Sequence, residues 1–295
     1  MKRISIIATA LALTACGNSK NDFDATGTFE ATEVTVSSEQ NGKLLSLNIS
    51  EGDRVAEGQE VGLTDTVQLY LHARQIGATK LVYATQRPDT EKQVAAIRQQ
   101  LTKAEQEYNR FNGLWQDGAA NRKQVDDAKS QVDVLRKQLD AQLSTLKNST
   151  QSLNAQMETA DVQCLQVADQ LRKCHITSPI SGVVLSKYAE AGEFAVVGKP
   201  LFKVADLYNM YLRAYVTSAQ LSNVKIGQDV KVYADFGSGD RKEYDGKVTW
   251  ISAKSEFTPK TILTDDERAD IVYAVKIAIK NDGYVKIGMY GEVKF

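Results

Sequence analysis

Two stretches of this chain repeat one pattern. Residues 42–63 (GKLLSLNISEGDRVAEGQEVGL) and 182–203 (GVVLSKYAEAGEFAVVGKPLFK) set Gly42, Gly52 and Gly58 against Gly182, Gly192 and Gly198 at one constant offset. Asp53 falls on Glu193 and Val61 on Leu201. Each copy reads as a short strand, a glycine turn and a second strand, since glycine tolerates the positive φ such a turn requires. Neither copy is long enough to enclose a core alone. The repeat therefore predicts one flattened sandwich built from both halves.

What separates the halves is just as constraining. After Asp65-Thr66 the pattern stops, and it resumes only at Ser178-Pro179-Ile180. In between, Val94, Ile97, Leu101, Ala104, Tyr108, Phe111 and Trp115 alternate steps of three and four. Val125, Ala128, Val132, Leu135 and Leu139 do the same, and Leu146 returns to register after Gln142. A third run is Leu153, Met157, Ala160, Cys164, Val167, Leu171 and Cys174. Sustained a/d spacing of this kind specifies coiled-coil helices. The small residues of QDGAANRK, 116–123, supply a turn, so the insert predicts an antiparallel hairpin. Pro88 interrupts the outgoing arm, and Asn148-Ser149-Thr150 is expected to interrupt the returning one, giving a joint at one level. Arms of this length reach about 75 Å.

Cys164 and Cys174 fall on the helical seam, where cysteine acts as a small hydrophobe. Ten helical residues rise about 15 Å, whereas a disulfide needs Cα atoms within about 7 Å. Two free thiols are expected. Adding His175 gives no usual metal-ligand spacing.

The last third alternates as strands do, at Met210, Leu212, Ala214 and Val216 and again at Ile271, Tyr273, Val275, Ile277 and Ile279. SAQLSNVKIGQDV, 218–230, reads as a short capped helix leading into a further strand. A small antiparallel barrel is expected, joined by an N-terminal strand around Thr28–Val36.

The front end has a basic start at Lys2 and Arg3, an apolar run from Ile4 to Leu13, then small residues, which is the anatomy of a signal peptide. That run is too short to span a bilayer, which needs about 20 residues. It closes as Leu13-Thr14-Ala15-Cys16, which resembles the bacterial lipobox. The resemblance implies cleavage before Cys16 and lipidation of that residue. Gly17 to Asp24 then reads as a tether.

The repeated halves resemble the lipoyl or biotinyl carrier domain, but the lysine-bearing hairpin is replaced by the helical insert. No attached lipoic acid or biotin is expected. The ordered combination resembles the HlyD-type periplasmic adaptors, the membrane fusion proteins of tripartite efflux and type I secretion systems. It implies an α+β multidomain chain with a split lipoyl/biotinyl-like β-sandwich, an inserted antiparallel coiled-coil hairpin and a small antiparallel β-barrel. The divisions are a signal peptide at 1–15, a lipidated tether at 16–25 and an N-terminal strand at 26–36. Then come half 1 at 37–65, the hairpin at 66–175 with its tip at about 113–123, half 2 at 176–206 and the barrel at 207–295.

By the same resemblance, such a chain forms rings, usually hexamers, that link an inner-membrane transporter to a TolC-like outer-membrane channel. Export of small molecules or proteins follows. The family's tip carries an Arg, a Leu four residues on and a Ser seven beyond that. Arg110 and Leu114 match, and Asn121 stands in the third place. Many pump adaptors have a fourth, membrane-proximal domain after the barrel. Here the chain stops at Phe295, which leans toward an ABC-type transporter. The geometry puts the lipid anchor on the periplasmic side of the inner membrane, opposite the tip.

Other functions find little footing. The net charge of -1 gives no basic patch for nucleic acid. GEFAVVGKP, 192–200, imitates a phosphate loop but has five residues between its glycines and Pro200 where Ser or Thr is required. Only His72 and His175 are present, no nucleophile motif occurs, and Met157, Met210 and Met289 are scattered. No enzyme, cofactor or metal site is expected. The competing reading is a non-transport surface or structural lipoprotein using the coiled coil as a spacer.

Overall fold

The computed structural model describes residues 23–235, 241–257 and 271–295. The first strand, β1 (Ala25–Ser37), is followed by β2 (Gly42–Leu47), β3 (Arg54–Val55) and β4 (Glu60–Thr64). The insert holds α1 (Val67–Thr85), α2 (Thr90–Gln116) and α3 (Arg122–Cys174). Then come β5 (His175–Thr177), β6 (Gly182–Lys187), β7 (Phe194–Ala195) and the long β8 (Pro200–Thr217). A short helix α4 (Ser218–Leu221) precedes β9 (Asp229–Asp235), β10 (Arg241–Phe257), β11 (Ile271–Lys280) and β12 (Tyr290–Lys294).

The repeat is realised as two equivalent four-strand rows. One runs β7-β2-β4-β5 and the other β3-β6-β8-β1, with the end of β1 playing the part of β5. Each half lends its shortest strand to the other row. Gly42 pairs with Ala195 and Lys43 with Phe194, while Val55 pairs with Gly182 and Arg54 with Val183. Turn contacts repeat the exchange: Gly52 N–H donates to Val184 O at 2.8 Å and Gly192 N–H to Leu44 O at 2.7 Å. Both glycines sit at positive φ, +91° and +99°, which a side chain would strain. Between the rows lies one core drawn from both halves, including Leu44, Val61, Val184, Leu201, Phe202 and Val204.

The second core lies in a curved antiparallel sheet. Its strands run β1-β12-β9-β10-β11-β8, and β8 pairs β1 as well. Phe29, Met210, Leu212, Val232, Ile277 and Val293 fill its concave side. The short helix expected after Thr217 is α4, opened by a capping box between Thr217 and Gln220. The N-terminal strand serves both cores. Ala25–Ala31 line up with β12 and the distal part of β8, whereas Thr32–Ser37 line up with the sandwich part of β8.

In the hairpin, α3 packs its first half on α2 and its second half on α1. Leu101, Val132 and Leu135 form one cluster, and Ile76, Ala160 and Val167 form the other, with Cys164 and Leu171 against it. Both thiols are free, and Cys174 is buried. The outgoing arm breaks between Thr85 and Thr90 around Pro88, where Asp89 caps α2 by accepting from Lys92 N–H. The expected break at Asn148-Ser149-Thr150 does not occur: α3 is one helix of 53 residues. Those residues are weak helix formers but keep their N–H groups, and the Thr150 hydroxyl donates to Leu146 O at 2.9 Å within the helix. Leu146 and Leu153, both buried, hold the seam on either side of that stretch. The joint is therefore one-sided.

Candidate functional site: the hairpin tip

The tip is built by two end-of-helix devices. Helix α2 closes with Gly118 at φ +74°, Ala119 N–H donating to Leu114 O at 2.7 Å and Gly118 N–H to Trp115 O at 3.0 Å. This pair of bonds is a Schellman closure, which satisfies carbonyls that a helix end leaves open. Helix α3 opens with a capping box. Asn121 Oδ1 accepts from Gln124 N–H at 3.0 Å, and Gln124 Oε1 accepts from Asn121 N–H at 3.1 Å. The four residues 117–120 between α2 and Asn121 thus have little freedom, and the tip is presented rigidly.

Arg110 and Leu114 lie one turn apart on one face of α2, as i and i+4 must. The Arg110 side chain is 63% exposed, pairs with Glu107 and lies over the Phe111 ring at 5.1 Å. Leu114 is 39% exposed and Trp115 46%. Trp115, expected on the seam, is instead exposed and takes no part in the packed cluster of α2 and α3. Asn121 is exposed, but its side-chain oxygen is committed to the cap. Its amide N–H₂ remains available. The structure thus brings Arg110 and Leu114 together and gives Asn121 a structural task that the family pattern did not reveal. The Asn121-x-x-Gln124 spacing was a legible sign of it. Below the tip, Ala104, Phe111 and Ala128 floor a groove of about 280 Å³ between α2 and α3, edged by Glu107, Gln124 and Asp127.

At the other end, Asp24 leads into the curved sheet. Its N–H donates to Val293 O at 2.9 Å, and its carboxylate accepts from Phe295 N–H at 2.8 Å. Cys16, the expected signal peptide and the expected tether up to residue 22 lie outside the described residues. No helix among the described residues is long and apolar enough to cross a membrane. Nor does any group of three His, Cys, Asp or Glu side chains among them form a metal site.

A strand-swapped sandwich with a long helical arm on one side and a curved sheet on the other defines a class of protein: an elongated multidomain adaptor built for reach. The model of the RND MFP barrel-sandwich hybrid domain matches residues 32–207. The UPF0194 membrane protein YbhG of Salmonella typhi is 30% identical, over 98% of this chain and 95% of its own length. The chain belongs to the RND/HlyD-type membrane fusion protein family, periplasmic adaptors that link an inner-membrane transporter to an outer-membrane channel. MacA from Actinobacillus actinomycetemcomitans shares the fold at a TM-score of 0.56 and 22% identity, over 91% of this chain and 76% of that one. The membrane fusion protein Spr0693 of Streptococcus pneumoniae R6 does so at 0.50 and 18%, over 91% and 97%.

Proposed function

We propose that the tip is the surface that meets a TolC-like outer-membrane channel, with Arg110 and Leu114 as principal contacts and Asn121 adding an amide donor. The observation that carries this is the exposure of Arg110 and Leu114 together on a tip stiffened from both sides. Arginine offers several donors to carbonyls or carboxylates of a partner helix, and leucine adds apolar area beside it. In this reading Cys16 carries the lipid that holds the sheet end at the inner membrane, and the transporter is of ABC type.

The same reading makes the chain a subunit of a homo-oligomeric ring, hexameric as in the family. Val67 and Leu71 on α1, and Val162 and Leu165 on α3, are exposed apolar residues about half a turn from their seams. These residues offer apolar area on both helices to a neighbouring subunit, and head-to-tail contact closes into rings. We further read the six paired strands β1, β12, β9, β10, β11 and β8 as a closed barrel, supported by the β1–β8 pairing.

The test is Arg110→Asp with Leu114→Ser, against a control pair on exposed positions of the same helix, Gln99→Asp with Lys103→Ser. The tip pair is expected to abolish cross-linking to the channel while expression and transporter binding persist, and the control is expected to be silent. Normal channel capture by the tip pair overturns the docking assignment. Failure of the wild type to capture any channel favours the spacer-lipoprotein reading.

A further inference from the structure

Among the described residues, only β1 and β8 run unbroken from the sandwich into the curved sheet, and they cross the boundary unequally. Ala31 pairs with Met210, but the next residue, Thr32, pairs with Asp206. Strand β8 therefore carries three extra residues, Leu207–Asn209, at the junction itself. An excess of this kind bends a strand and raises its twist, so its conformation determines how the two modules are angled.

The three residues are held from two sides. The Asp206 carboxylate accepts from the N–H groups of Tyr208 and Asn209, at 3.0 and 3.1 Å, and from Asn209 Nδ2 at 2.6 Å. On the other side stands Asn281, just beyond β11 and only 4% exposed. Its Nδ2 donates to Leu207 O at 2.9 Å and to Val285 O at 3.0 Å, and its backbone N–H donates to Tyr208 O at 2.9 Å. Its Oδ1 accepts from Gly283 and Val285 N–H at 3.0 and 3.1 Å. A primary amide has two donors and an acceptor on one plane, which neither a carboxylate nor an apolar side chain reproduces. One buried side chain thus ties the bulge of the shared strand to the 281–285 loop.

Beside the bulge the modules stand apart, and Asp206–Asn209 and Asn281 line the gap. The turn at Gly52 and Arg54 faces Asp282 and Lys286 across an open cleft of about 790 Å³. The modules are joined through the two shared strands, and the clamped bulge borders the open cleft between them, so the bulge is placed to govern how far the cleft opens. We infer that Asn281 is a positioning residue that sets the angle between the hairpin-bearing sandwich and the curved sheet, and with it where the tip points. The inference does not depend on what the tip binds.

The test measures distances in the full-length protein, without partners, by pulsed electron resonance between spin labels. One pair spans the junction, at the exposed positions Lys43 and Lys294. A second, Lys247 and Lys294, lies within the sheet. Both are placed in a Cys164→Ala, Cys174→Ala background. Asn281→Leu removes the side-chain bonds to the bulge. Asp206→Ala loosens the same bulge from its other side and decides the matter if the first variant fails to fold. The junction distance is expected to broaden and shift its mean toward a narrower cleft, with the within-sheet distance unchanged. An unchanged junction distance overturns the inference. So does equal broadening of both distances, which would make Asn281 a keeper of the sheet and not of the angle.

Discussion

Ser38 and Ser178 are one position used twice. Each is buried, and each hydroxyl donates to the carbonyl two residues on, Ser38 to Gln40 O at 2.6 Å and Ser178 to Ile180 O at 2.7 Å. Each backbone N–H donates across the chain, Ser38 to Lys199 O and Ser178 to Gln59 O. The returning bonds also match, from Gly198 N–H to Ser38 O and from Gly58 N–H to Ser178 O, both at 2.8 Å. The two serines tie each half's entry to the other half's second turn.

Equal roles imply equal costs. Ser38→Ala and Ser178→Ala are each expected to destabilise the protein by about 1 kcal/mol, the net worth of one hydrogen bond. Both sites feed one core, so the shifts in denaturation midpoint are expected to be alike. A large shift in one and none in the other would show that the equivalence is geometric only.

The repeat is legible because glycines mark turns, whereas Ser38 and Ser178 lie four residues before the first repeated glycines and carry no such mark. The hairpin was legible because seam residues keep their own period, and Pro88 declared its break through a missing N–H. Asn148-Ser149-Thr150 has low helix propensity but is no stop, because Leu146 and Leu153 pack the seam through it. The Asn121 cap could be read locally. The Asn281 clamp could not: it joins a strand bulge to a loop far along the chain, and nothing near Asn281 in sequence announces Leu207.

The unbroken α3 has a direct consequence. Ser149→Pro would remove a helix bond opposite nothing that could replace it, at a cost of about 3 kcal/mol or more. Pro88→Ala, placed where the arm is already broken, is expected to be well tolerated and to add helicity. Thermal melts followed at 222 nm separate the two outcomes. Equal tolerance of both substitutions would mean that α3 bends at that level after all.

Asn121 allows the cap to be separated from docking. Asn121→Ser and Asn121→Asp retain an oxygen for Gln124 N–H, whereas Asn121→Ala loses it at about 1 kcal/mol. Hydrogen exchange across 122–126 is expected to quicken in the alanine variant alone. If channel cross-linking follows exchange, weak in alanine and normal in serine and aspartate, the residue acts through the cap. Loss in all three would instead assign the contact to the Asn121 amide.

Tyr244 and Asp282 make the curved sheet sensitive at both ends of the pH scale. The Tyr244 hydroxyl donates to Asp282 Oδ1 at 3.0 Å, and Lys242 pairs with the other carboxylate oxygen. Burial first, then the hydrogen bond to Asp282 and its charge, pushes the Tyr244 pKa from near 10 up to about 12. The bond from Lys242, joined by that from Tyr244, holds Asp282 below its ordinary value against partial desolvation. For Asp282 the folded pKa lies below the unfolded one, so its contribution is full above the ordinary carboxylate range and is lost as pH falls through the folded value. For Tyr244 the folded pKa lies above the unfolded one, so stability is full below pH 10 and declines as pH rises toward about 12. Over that window the wild type is expected to lose stability more steeply than Tyr244→Phe, by at most about 1.4 kcal/mol per pH unit. Asp282→Asn is expected to flatten the acid limb instead. Parallel stability curves for the wild type and Tyr244→Phe between pH 9 and 12 would show that the tyrosine titrates alike in the folded and unfolded chain.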